Sequence, residues 1–270
     1  FLGQPKDIRA RELLKVADGQ LYDDVCASIP GFADGGFFVT LLVGSRAPTT
    51  STILGTLAKA LASADWHGEK VEALRGRVDR LFDRARQGET ISNDEVSEAF
   101  EEAAHVVRNQ GGLGLVLIVD ELGKLLEHAA LTSGQGDVFL LQSLAERASR
   151  SGDCPFMFIG ILHQAFEHYA ARLGRTQQRE WRKIEGRFEA IGFMESPGEF
   201  LKLIVAAIER AEDMDGLGSV VESEAATAAT LNISPRDLAK DEAPKVLEEC
   251  APLHPTVALV IGRLFRSKLA

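Results

Sequence analysis

The chain has no Gly-x-x-x-x-Gly-Lys-Ser/Thr motif in any of its 270 residues, so it carries no standard phosphate-binding loop. Its closest approach to one is Gly44-Ser45-Arg46-Ala47-Pro48-Thr49-Thr50-Ser51. That stretch lacks the lysine and the second glycine, and Pro48 removes an amide from any phosphate cradle; it reads as an ordinary loop. There is no excess of basic charge: the net charge is −10. No global field draws the chain to nucleic acid or membrane, and any nucleic-acid contact needs a local basic patch. No apolar run approaches the roughly 18 residues of a membrane span, which predicts a soluble chain without membrane contact. Cysteine is scarce. Cys26, Cys154 and Cys250 stand far apart and form neither a disulfide framework nor a metal knuckle, and a reducing, cytoplasmic compartment is expected. The opening Phe1-Leu2-Gly3-Gln4 has no signal-peptide pattern. It also lacks an initiator Met, and the end falls inside a helical pattern, Leu259 to Leu269. Both features lead us to expect a piece of a longer protein.

What is present is an alternation of buried strands and amphipathic helices. Residues 5–28 read as two helices broken at Asp18-Gly19. Phe37 to Val43 is a short apolar run bounded by glycines, which predicts a buried strand. A helix follows, with Ile53, Leu54, Leu57 and Leu61 as its apolar stripe. Residues 67–110 predict a charged helical pair, the first ended by Gly88, the second started by Ser92 or Asn93. Leu113 to Val119 is the most apolar run in the chain and is closed by Asp120-Glu121. Helices are expected over Leu122 to Leu131, Val138 to Arg150 and Ala165 to Leu173. Another buried strand is expected from Phe156 to Leu162, closed by His163-Gln164. Gly174 to Lys183 reads as a polar, basic stretch. A short strand is expected near Ala190 to Phe193, before a helix opened by Pro197 and running to Arg210. The pattern predicts an α/β fold with a parallel sheet flanked by helices over residues 1–196, and a helical, lid-like accessory domain over 197–270.

Three positions carry candidate chemistry. In a parallel sheet, ligands bind at the carboxyl ends of the strands. Asp120 and Glu121 stand at such an end, where one acid can organise Mg²⁺ and the next can polarise an attacking water. The same segment taken alone is equally a strand running into an acidic helix N-terminus, which favours acids anyway. His163 and Gln164 end the next strand and are placed to sense a γ-phosphate; alone, they read as a helix-capping pair or a surface His. Arg187 precedes an apolar segment and a Pro-started helix, so its fixed charge suits a phosphate, although an ordinary salt bridge explains it as well. The five-residue step from His163 to His168 does not put two ligands on one helical face, which argues against a metal site. Arg172, Arg175, Arg179, Arg182 and Lys183, with Trp181, make residues 172–188 locally basic. This stretch suits DNA or phosphate contact, and equally a solvated loop or a subunit contact.

The order of these elements resembles the second half of an AAA+ or STAND-type P-loop ATPase core. Three phrases carry a closer resemblance to large prokaryotic ATPases of antiviral defence islands. They are Ile118-Val119-Asp120-Glu121-Leu122-Gly123-Lys124-Leu125-Leu126-Glu127, Ile161-Leu162-His163-Gln164-Ala165-Phe166 and Trp181-Arg182-Lys183-Ile184-Glu185-Gly186-Arg187-Phe188-Glu189. Leu253-His254-Pro255-Thr256 fits the same family, so the resemblance spans about residues 110 to 265. It implies a protein that binds and hydrolyses ATP with Mg²⁺ and couples nucleotide state to assembly or activation of a defence system. Asp120 would organise the metal as Walker B, and Glu121 would act as base. His163 or Gln164 would be sensor 1, and Arg187 would act in trans, in cis or structurally. Arg263 is a candidate for sensor 2. The resemblance also implies that Walker A lies on a segment upstream of Phe1, that the chain alone is inactive, and that it self-associates or meets a partner subunit. Two other readings are carried alongside. One is an inactive scaffold that binds a protein partner or DNA through residues 172–188; the other is an AAA+ ATPase of DNA replication or loading.

Overall fold

A computed structural model describes residues 8–29, 31–32, 36–132, 135–171, 173–192, 196–208, 218–230, 235, 237–239 and 241–261. The chain forms two compact units, residues 1–189 and 190–270.

The first unit begins with two short helices, α1 (Ile8–Ala17) and α2 (Gly19–Ser28), divided where the Asp18 side chain caps α2 by accepting from the Leu21 N–H. Strand β1 (Phe37–Val43) then leads into α3 (Thr49–Ser63), α4 (Glu69–Arg86) and α5 (Asn93–Asn109). Helix α5 starts at a capping box in which Ser92 and Glu95 satisfy each other's backbone amides. Strand β2 (Gly114–Asp120) follows, then α6 (Leu122–Leu131), α7 (Gln135–Ser149), strand β3 (Phe156–Gly160), α8 (Phe166–Ala170) and α9 (Arg175–Glu185).

The three strands form one parallel sheet in the order β1-β2-β3. An order that never reverses has a structural consequence. Right-handed crossovers that always advance in one direction deliver their helices to one face. The core obeys this: Phe38 and Leu42 of β1, Leu115, Leu117 and Val119 of β2, and Phe156 of β3 share one cluster with α3, α4, α5, α6 and α7. Thr40 is buried on that face and donates its hydroxyl to the Val116 carbonyl, 3.0 Å away, so no polar group is stranded there.

The alternate residues point to the other face. Register puts Leu41 beside Ile118 and Ile118 beside Ile159, with Val43 beside Asp120. Val116 is buried, but exposure grows toward the carboxyl ends: Leu41 is 62%, Val43 59%, Ile159 40% and Ile161 45% exposed. Parallel sheets are ordinarily covered on both faces. Here, among the described residues, the carboxyl half of one face stands open.

Several sequence expectations change in detail. The basic stretch from Gly174 is the helix α9, held to the core by Trp181 and Ile184. Strand β3 ends at Gly160, and α8 is limited to Phe166–Ala170. No strand forms over residues 190–192, where Ile191 is 84% exposed and so has no apolar surface to pair it; Phe193 lies outside the described residues.

The second unit contains α10 (Pro197–Ala207), α11 (Gly218–Thr230) and α12 (Ala243–Glu249), and residues 255–261 are also helical. Leu201, Ala225, Leu247, Cys250 and Ala258 form its separate core. Ser196 caps α10, and the Asp237 carboxylate accepts from the Gly198 N–H. Arg210 and Arg263 lie outside the described residues. No helix among the described residues is long and apolar enough to cross a membrane.

The one-sided sheet makes a direct prediction from neighbouring residues. Leu42→Ala removes a core side chain and should cost about 2–5 kcal/mol. Leu41→Thr, one residue earlier on the open face, should change stability by about 0.5 kcal/mol or less. Denaturant midpoints of the two variants measure the contrast; equal losses would show that both faces are covered.

Candidate functional site

The site lies at the carboxyl end of β2, the central strand. Its position is fixed by backbone hydrogen bonds on both sides. The Gly44 N–H donates to the Asp120 carbonyl at 2.7 Å. On the other side, the Ile161 N–H donates to the Val119 carbonyl at 2.9 Å, and the Leu122 N–H to the Ile161 carbonyl at 3.0 Å. The strand end is therefore held to both neighbours at the point where the two acids emerge.

Asp120 belongs to the open face by register. Its Oδ1 accepts from the Glu121 N–H at 2.9 Å, and no other described residue hydrogen-bonds its carboxylate. Glu121 is the one non-glycine described residue with positive φ (53°, with ψ 39°). This left-handed conformation is costly for a side-chain-bearing residue and is worth attention where it occurs. It turns the chain sharply from β2 into α6. Gly44 makes the turn possible, because a Cβ there would come within 2.3 Å of the Glu121 carbonyl oxygen.

The Glu121 side chain does not cap α6. It forms an ion pair with Lys124, one turn along α6, and its Oε1 lies 3.9 Å from His163 Nε2. The hydrogen bond from Lys124 holds the Glu121 carboxyl below the usual carboxylate range, with smaller electrostatic help from Lys124 and His163 against some desolvation. The group is thus an anion at neutral pH. A lowered pKa makes it a poor proton acceptor while Lys124 stays in place, and better suited to orienting a polar ligand or a water.

Two of the sequence-predicted positions therefore meet. Asp120-Glu121 at the end of β2 and His163 just beyond β3 share one edge of the sheet. His163 is 77% exposed on its side chain; Gln164 is also exposed and makes no hydrogen bond with a described residue. Arg187 is not part of this group. Its Nε pairs with Glu146 of α7 at 3.1 Å, and Glu146 also accepts from Gln142. The adjacent Phe188 packs edge-on against Phe158, with ring centroids 5.2 Å apart. Phe158 is register partner to Leu117, so this segment packs on the helix-covered face, opposite to Asp120.

Two participants were not singled out from sequence. Lys124 was one: its three-residue step from Glu121 is the helical spacing of an ion pair, and that signal was available. Gly44 was the other in the role it plays: the sequence marks it only as the end of the strand, and its approach to the turn at Glu121 appears in the fold. The loop after β1 is held by its own hydrogen bonds. The Ser51 and Thr52 hydroxyls donate back to the Pro48 carbonyl, and Arg46 grips Glu127 Oε2 through Nε and a terminal nitrogen at 3.0 and 2.9 Å.

No group of three or more His, Cys, Asp or Glu side chains able to hold a metal occurs among the described residues. Glu121 is taken by Lys124, so the Asp120 carboxylate is the one of the pair without an ion-pair partner among the described residues. A single carboxylate is a donor Mg²⁺ accepts, since it keeps several waters and takes one or two carboxylates together with ligand phosphates. No protein-family model, curated protein or solved structure matches the chain.

Two substitutions test this geometry. Gly44→Ala should lower stability by about 1–3 kcal/mol, the usual cost of forcing an extra carbon into a packed site; an unchanged melting temperature would contradict the close approach. Lys124→Met should raise the Glu121 pKa toward the ordinary carboxylate value, read by NMR titration of the side-chain carboxyl carbon. Because the folded value lies below the unfolded one, Glu121 adds stability above the ordinary carboxylate range and loses it as pH falls through its folded value. That contribution should shrink in the Lys124 variant; an unmoved titration would remove Lys124 as the cause.

Proposed function

We propose that the chain is the Walker B-bearing part of a P-loop ATPase of the AAA+ or STAND type, cytoplasmic, and resembling the ATPases of prokaryotic defence islands. The observation that carries the reading is the acidic pair Asp120-Glu121 at the carboxyl end of the central parallel strand, with His163 of the next strand beside it. Carboxyl ends of parallel strands are where ligands bind in open α/β sheets. Bound ATP would bring Mg²⁺, which neutralises phosphate charge. Asp120, whose carboxylate has one oxygen engaged by a single backbone amide, would hold the metal through water. Glu121 would orient the attacking water, and His163 or Gln164 would contact the γ-phosphate.

The ATPase reading also requires a phosphate loop. The chain contains no such motif, so we assign it to a segment outside this sequence. Arg187 fits a role toward a neighbouring subunit better than one in its own site, because it stands on the other face of the sheet, half-exposed and paired with Glu146. Self-association or a partner subunit follows from that role, with hydrolysis driving assembly or activation.

A second reading is a nucleotide-independent scaffold that meets a partner or DNA through residues 172–188; the exposed arginines of α9 favour it. A DNA-loading AAA+ ATPase would combine both properties.

ATP turnover by the natural full-length protein separates these readings. Glu121→Gln should slow it by about 100-fold or more, the scale of a lost base or water-orienting group; equal rates would overturn the catalytic assignment. The 270-residue chain by itself should show no turnover, and robust hydrolysis would show that the phosphate loop had been misassigned.

A further inference from the structure

Helix α9 carries a basic face that nothing in the fold explains. Arg175, Arg179 and Arg182 are exposed and make no hydrogen bond or ion pair with any described residue. Arg80, Arg86, Arg108 and Arg150 of the same unit likewise hold no carboxylate among the described residues, but six others do. Arg46, Arg75, Arg77, Arg84, Arg147 and Arg187 each hold a carboxylate. On α9 itself, Glu180 is taken by Lys183.

The three arginines are also aligned. At about 100° per residue they fall within an arc of about 60°, and they span roughly 10 Å along the axis. The opposite side of the helix carries Trp181 and Ile184, which are 6% and 0% exposed and anchor α9 to the core. The cationic line is therefore presented outward by a fixed element. Helix stability does not account for it. The first turn of α9 contains no acid and begins with Arg175, whereas a helix N-terminus favours negative charge. Both the free amides of that first turn and the guanidinium thus favour an anion from outside.

We infer that this face of α9 binds the phosphate backbone of a nucleic acid, with Arg175, Arg179 and Arg182 each meeting a phosphate. The inference rests on the second reading above, which it narrows to backbone phosphates, and is independent of the ATPase reading. Arginine suits repeated phosphate contacts because its planar fork is always charged. The contact is to the backbone alone. Trp181, the one aromatic residue of α9, is buried against Phe166, with ring centroids 5.7 Å apart, and cannot stack on a base. Binding is accordingly indifferent to base sequence. It is also weak, since a chain of net charge −10 repels nucleic acid elsewhere.

The test is fluorescence anisotropy of the 270-residue chain with a labelled mixed-sequence DNA duplex and with its single strand, at a series of salt concentrations. Three phosphate contacts should weaken duplex binding about 40-fold between roughly 50 and 200 mM salt, and single-strand binding about 20-fold. Combined Arg175→Gln, Arg179→Gln and Arg182→Gln should abolish binding while circular dichroism stays unchanged. Single changes to Gln should each reduce the salt slope by about 0.9. Trp181 fluorescence should not be quenched on binding. Absence of binding at low salt would overturn the inference, as would a salt slope unaltered in the triple variant. So would a chain that fails to bind DNA but self-associates in light scattering only while the arginines are present, which would assign the face to an acidic surface of a second copy.

Discussion

Pairing of β2 with a strand on each side is the constraint from which the candidate site follows. Because both neighbours hydrogen-bond the strand through its last residues, the chain leaves the sheet at one fixed point, between Asp120 and Glu121. Beyond the left-handed turn the two carboxylates have different partners. Asp120 stays with the open face, and Glu121 swings to the start of α6, where Lys124 and His163 meet it. Gly44 occupies the only kind of position where the neighbouring strand can tolerate that turn. Loosening any of these contacts would displace the acids without touching them.

The uneven covering of the sheet is the second consequence of topology. A strand order of β1-β2-β3 sends every crossover helix to one side. The site thus sits on the rim between a packed face and an exposed one. Arg187 belongs to the packed side and the Asp120 carboxylate to the exposed side, so the two act on different surroundings. Arg187 is held there by Glu146 and does not reach the Asp120–Glu121 pair.

Much of this was legible in the sequence, for identifiable reasons. Buried parallel strands are continuous apolar runs, and Phe37 to Val43, Leu115 to Val119 and Phe156 to Gly160 stand out as such. The position of Asp120-Glu121 followed directly. The same continuity hid the open face: runs without alternation do not reveal which residues are covered. Helix α9 was hidden because only Trp181 and Ile184 mark its inner side, too few to give a helical period. The partner of Arg187 was hidden for another reason. Glu146 lies on a different helix, and only packing of α7 beside α9 joins them. The expected strand near Ala190 rested on two or three apolar residues with no neighbouring run to pair them, and Ile191 remains in solvent.

The exposed row of Leu41, Val43, Ile159 and Ile161 also bears on calorimetry. The heat-capacity increment of unfolding arises from apolar surface newly brought into contact with water, at about 12–15 cal/mol/K per residue for an ordinary domain. Side chains already wet in the folded state add little to it. Unit 1 would therefore unfold with a smaller increment than its length suggests, giving a flatter curve of stability against temperature and weaker loss on cooling.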